Sequence, residues 1–291
     1  MHKALSRSCK FARVAALALI TFACGAGRMD VAPTPASRVA TVSGPIDPVR
    51  FAVERVLGAR DLAFLRSLAV AELGDVVYGL LYKGDVDVAS VASVSQAEHQ
   101  AAFLNRPRAT SQGGWIYMRG SAGDAQGDLV RLYFDLKPEG AVPLADWVAA
   151  ALDGGTIKYE FKVPASIAAF NRSSAAVLYV ERGDYARAKV VAIAFGASHP
   201  EMLREVVPTF TKRIAFGIGA ADEPALSPVP STRPAHSHAT VRTDAMAEAI
   251  HAASPTATTT DLVAQVRARL RHYAIDPDRP WLRQGKTVDD L

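Results

Sequence analysis

A two-residue alternation of apolar and polar side chains between Arg131 and Val180 constrains this chain more than any other feature. In Arg131–Leu136, Arg131, Tyr133 and Asp135 alternate with Leu132, Phe134 and Leu136. In Ile157–Val163, Lys158, Glu160 and Lys162 alternate with Ile157, Tyr159, Phe161 and Val163. A third apolar run lies within Asn171–Val180. Successive side chains of a strand point to opposite faces, so these segments predict strands with one core face and one polar face. If the strands share a sheet, their polar faces combine into one basic, tyrosine-containing surface, and chemistry is expected there.

Around these strands the chain reads mostly as helix. Helical spacing over residues 48–73 predicts two helices divided at Gly58, and Asp75–Tyr82 predicts a third. Tyr78 and Tyr82 fall on one face of it and read as core aromatics. Residues 48–104 thus form an N-terminal helical lobe. Gly114–Arg119 predicts a strand, paired as a hairpin with residues 129–136. Pro143–Leu152 is an amphipathic helix that Gly154 and Gly155 end, and another helix starts at Gly183-Asp184. Residues 209–219 read as a strand and a glycine-rich loop, residues 222–237 as a proline-rich loop, and Val241–Ala252 and Thr260–Tyr273 as helices. Strands and helices mix without a βαβ rhythm. The expected fold is therefore α+β, with a mixed or antiparallel sheet flanked by helices, its core in residues 105–283 and a tail at 284–291.

Composition narrows the function classes. With 49% hydrophobic and 21% charged residues among 291, the chain has the balance of a folded protein. A net charge of +4 without a dense basic tract gives no nucleic-acid footprint. Both cysteines, Cys9 and Cys24, precede residue 31, so the body has no disulfide framework, zinc-thiolate cluster or cysteine nucleophile. Lys3, Arg7, Lys10 and Arg13 precede the apolar run Val14–Gly27, the layout of a secretory signal over residues 1–30. That run is too short for a typical membrane span. If the true start lies near Met29 instead, the segment is no signal and the protein stays cytoplasmic. Residues 31–47, rich in Pro, Ser and Thr, read as a linker.

No phosphate-binding glycine loop, HExxH or G-x-S-x-G motif is present. His236 and His238 read as an exposed loop pair, so no metal site is expected. Arg131, Lys162, Arg172, Lys212, Arg213 and Arg242 come from separate elements. They suit a phosphate cradle, because arginine's planar fork matches phosphate oxygens. Equally, each could face water or pair with Asp135, Glu160 or Glu181.

Several runs, in order, resemble the HopA-type type III effector family: RLYFDLKPEGA (131–141), FKV (161–163), NRSSAAVLYVERGDY (171–185), PTFTKRIAFGIGAADEP (208–224), SHATVRTDAMAEAI (237–250) and IDPDRPWL (275–282). The family is similar in fold to phosphothreonine lyases and to the lyase domains of class V lanthipeptide synthesis. The resemblance implies cofactor-free β-elimination of phosphate from a phosphorylated Ser or Thr of a peptide or protein. It places Lys162 as the base, with Arg131, Arg172, Arg242 and Lys212 as phosphate or substrate contacts and Tyr179 lining the pocket. Phosphothreonine lyases carry a histidine general acid where this chain has Tyr133, a weaker acid near neutral pH. The alternative implied is a phosphopeptide-binding effector or exported protein without catalysis. No sequence feature sets an oligomeric state.

Overall fold

The computed structural model describes residues 46–84, 87–224, 237–287 and 291. The signal reading of residues 1–30 and most of the linker lie outside the described residues. No described helix is long and apolar enough to cross a membrane.

Helices come first: α1 (Pro48–Ala59), α2 (Leu62–Ser67), α3 (Val70–Tyr82), α4 (Val88–Val91) and α5 (Gln96–Leu104). The break after α1 falls beyond Gly58, because Asp61 caps α2 by accepting from the Phe64 N–H. Strands β1 (Ala109–Gln112), β2 (Trp115–Arg119) and β3 (Leu129–Phe134) follow, then α6 (Ala141–Leu152), β4 (Tyr159–Pro164), β5 (Ala176–Glu181) and α7 (Tyr185–Ser198). The chain continues through β6 (Lys212–Ala215), β7 (Ile218–Asp222), α8 (His238–Ala252) and α9 (Thr259–His272).

The strands form one sheet in the order β1-β2-β4-β5-β3-β7-β6, with every pairing antiparallel. The fold is thus α+β with an N-terminal helical region. The expected hairpin of 114–119 with 129–136 does not form. Gly113 and Gly114, both at positive φ, instead turn β1 directly into β2. Such a two-residue turn suits the twist of antiparallel strands and needs residues tolerant of positive φ. β2 then pairs with β4, and β3 lies between β5 and β7.

Two cores result. Val130, Leu132 and Phe134 of β3, with Phe161 and Leu178, pack under Leu144, Val148, Ala188 and Phe195 of α6 and α7. The second core joins Val53, Leu73 and Val77 of the N-terminal helices to Ala245, Ile250, Leu262 and Val266 of α8 and α9. β3 is buried on both faces. Arg131 and Tyr133 of β3 and Asp135 just after it, expected on an open polar face, are 6%, 5% and 3% exposed. The covering layer includes His238. Expected in an exposed loop, His238 is instead fully buried at the start of α8, its ring 5.6 Å from that of Tyr133. Burial, with the charges of Arg242 and Arg131, lowers its pKa well below the ordinary histidine value, so the imidazole is neutral. His236 lies outside the described residues.

Candidate functional site

Register across the sheet builds the site. Arg119, Glu160, Tyr179, Arg131 and Ala221 form one cross-strand row. Tyr117, Lys162, Val177, Tyr133 and Gly219 form the next on the same face. Because the side-chain period of a strand is two, the alternation in sequence becomes a shared face in space. Where α8 leaves this face uncovered, a cavity of about 300 Å³ opens, lined by Tyr117, Glu160, Lys162, Tyr179, Arg131 and Glu223, among others.

Lys162 is the distinctive group. It is half-buried and makes no salt bridge among the described residues. Its ammonium lies 4.6 Å from the Trp115 ring centroid, 5.2 Å from that of Tyr179 and 6.0 Å from that of Tyr117. Burial, reinforced by the charge of Arg131, lowers its pKa to about 8, although Tyr117, Glu160 and Glu223 oppose the shift. Beside it, burial and then Asp124 raise the pKa of Glu160 above the ordinary carboxyl value.

Arg131 is already engaged. Its Nε and Nη2 both donate to the Glu223 carboxylate, and its guanidinium stacks 4.9 Å from the Tyr179 centroid. Burial works against its charge, but Tyr179, Tyr133 and Glu223 outweigh it and keep Arg131 protonated. Its Nη1 approaches the Tyr133 hydroxyl at 3.5 Å. Burial raises the pKa of Tyr133 beyond that of a free phenol, despite the opposing charge of Arg131.

The structure therefore brings Lys162, Arg131 and Tyr179 to one cavity, with Tyr133 behind Arg131. The other sequence-selected cations lie elsewhere. Arg172 stacks 5.0 Å from the same Trp115 ring but lines a second cavity. Arg242 is fully buried: its Nε donates to the Pro280 carbonyl and its Nη1 to the His238 carbonyl at 2.9 Å. With no carboxylate bonded to it among the described residues, burial draws its pKa down to about 10. Lys212 donates to the Leu291 carbonyl from the edge strand. The four arginine and lysine contacts implied by the resemblance are thus not one convergent cradle in this conformation. Sequence reasoning passed over Trp115, Tyr117 and Glu223. The first two stood in the alternation of Trp115–Arg119. Glu223 follows β7 and carried no local signal. Among the described residues no group of three or more His, Cys, Asp or Glu side chains is placed to hold a metal ion.

The model of the HopA1 effector protein family matches residues 104–282. The chain belongs to this family. Two solved structures are similar to this HopA1-family chain in fold. One is an effector protein from Pseudomonas syringae pv. syringae strain 61, with 17% identity, TM-score 0.58, and coverage of 82% of this chain and 98% of that one. The other is an effector protein from Pseudomonas syringae pv. tomato strain DC3000, with 13% identity, TM-score 0.53, and coverage of 80% and 99% respectively. At these identities the likeness establishes the fold alone. No curated protein matches the chain.

Proposed function

We propose that this HopA1-family protein is a lyase that eliminates phosphate from a phosphorylated Ser or Thr side chain of a peptide or protein. The observation that carries the reading is Lys162, a half-buried lysine without a salt bridge among the described residues and with a pKa near 8, in a cavity beside an arginine. A general base works best when its pKa lies near the operating pH. Neutral Lys162 takes the Cα proton, the Cα–Cβ double bond forms, and the Cβ–O bond breaks. Phosphate leaves with that electron pair, and a dehydroamino acid remains. Arg131 is the cation placed to meet the departing phosphate, which exchanges with the Glu223 carboxylate. Tyr179 walls the pocket, and Arg172 supports it indirectly, by stacking on the Trp115 ring against which Lys162 lies. Tyr133 is the proton donor nearest Arg131. Arg242 and Lys212 act through the frame that holds these groups. The chemistry needs no cofactor.

A second reading, phosphopeptide binding without elimination, is favoured by one specific observation: the raised pKa of Tyr133 makes it a poor acid. Mass spectrometry of a phosphothreonine peptide incubated with the protein separates the two. Elimination removes phosphoric acid from the peptide, and Lys162→Ala stops it while the circular dichroism spectrum stays unchanged. A peptide that binds with its mass intact supports the second reading. A peptide that neither binds nor loses mass refutes both.

A further inference from the structure

A second cavity, about 470 Å³, is lined by Arg172, whose guanidinium stacks on the same Trp115 ring that faces the Lys162 ammonium. Lys83 and Arg172 both line it, as antiparallel bridge partners whose segments are tied by the Ser173 N–H donating to the Tyr82 carbonyl at 3.1 Å. Partners in such a bridge project side chains to the same side, so two cations stand next to each other. Neither side chain makes a hydrogen bond or ion pair among the described residues, and the Arg172 Nε is buried without a partner. The other charged groups around the cavity are satisfied within the fold. Arg204 pairs with Asp135 at 2.9 Å, Lys137 donates to the Glu201 carbonyl, Arg55 donates to the Leu80 carbonyl, and Glu139 accepts from Ser93.

Two adjacent like charges repel each other. An acidic group seated between them offsets that repulsion. The cavity wall adds a second requirement. Val88 and Leu81 are buried at its base, and Val91 and Val206 stand 70% and 54% exposed at its rim. Those rim side chains extend the apolar surface outward, which suits a chain lying across the mouth better than an enclosed small molecule.

We infer that this cavity is a docking cleft for a protein partner's peptide segment in which an acidic residue, held between Lys83 and Arg172, adjoins an aliphatic one packed on Val91 and Val206. The inference does not depend on chemistry at Lys162. Selection of a phage-displayed random dodecapeptide library on the full chain tests it, with affinities of the enriched peptides then measured by fluorescence anisotropy. The expected enrichment is an acidic residue beside Leu, Ile or Val. Lys83→Glu and Val91→Asp, both at exposed positions, each weaken binding tenfold or more. Lys162→Ala leaves the affinity unchanged. The assignment is overturned if no peptide is enriched, if the enriched peptides lack the acidic residue, or if their affinity survives Lys83→Glu. It is equally overturned if Lys162→Ala removes binding, since that places the peptide in the other pocket.

Discussion

At the residue scale, Lys162 and Arg242 separate two fates of a cation that sequence alone treats alike. Lys162 has a folded-state pKa near 8, below the ordinary lysine value of 10.5. The native state therefore holds fewer protons than the unfolded chain between those values, and its stability rises with pH across that window. Lys162→Met removes the dependence. It is expected to stabilise the protein at pH 7 by on the order of 1–3 kcal/mol, with the gain shrinking toward pH 10. Urea denaturation of both proteins at several pH values checks this. In the lyase reading the same group must be neutral, so elimination rises with pH and levels off above about pH 8, as a pH–rate profile would record. Arg242 behaves differently. Arg242→Ala leaves the buried Pro280 carbonyl without a donor and removes the guanidinium bond to the His238 carbonyl, which keeps its helical partner, at a cost of about 1–3 kcal/mol. The expected readout is a lower denaturation midpoint, and Arg242→Lys does not restore it, because an ammonium cannot span both carbonyls as the guanidinium fork does. The sequence carried Lys162 and Arg131 to a common face by spacing alone. It could not tell that Arg242 would be enclosed, because enclosure depends on which remote segment, here Pro280, closes over α8.

At the scale of elements, local pattern served best where one segment decides its own structure. α6, α7, α8, α9 and the strands β3, β4 and β5 lie close to the segments where periodicity placed them. Pairing was harder, because it is settled by distant residues. The hairpin expected between β2 and β3 lost to the turn at Gly113-Gly114, a signal that lay in the sequence. Residues 209–219 showed one strand and a loop, whereas two strands form. Gly217 makes this possible: it sits at φ +64°, and a Cβ there would meet the Arg204 carbonyl oxygen at 2.2 Å. Its own carbonyl accepts from the Asp135 N–H at 2.8 Å. Gly217→Ala is therefore expected to destabilise the protein by more than about 1 kcal/mol, and by more than an alanine at Gly58, where the space is open. Thermal denaturation of the two variants compares them directly.

For the whole molecule, the family match begins at residue 104, yet the fold does not. α3 packs along α8, α1 packs against α9, and the Tyr82 hydroxyl donates to the Thr209 carbonyl at 2.8 Å. A fragment beginning at residue 104 would expose Ala245, Met246, Ile250 and Val266 to water. It is expected to aggregate or to lose cooperative unfolding, whereas residues 46–291 unfold in a single transition. Sedimentation and calorimetry of the two fragments test this. The sequence indicated a helical region at 48–104. That its helices share a core with the C-terminal pair was not legible, since an apolar stripe does not name its partner.

The double burial of β3 has a consequence for how reliably the chain finds its register. In most half-exposed strands a slip of one residue moves apolar side chains into water, and solvation can soften the penalty. In β3 both faces are enclosed, one by α6 and α7 and the other by the layer around His238. A one-residue slip would carry Arg131 and Tyr133 into the oily layer and strand Leu132 opposite Glu223. A one-residue misalignment of the central strand is therefore unfavourable on both faces, and the correct alignment sets the two neighbouring rows that hold Arg131 and Lys162.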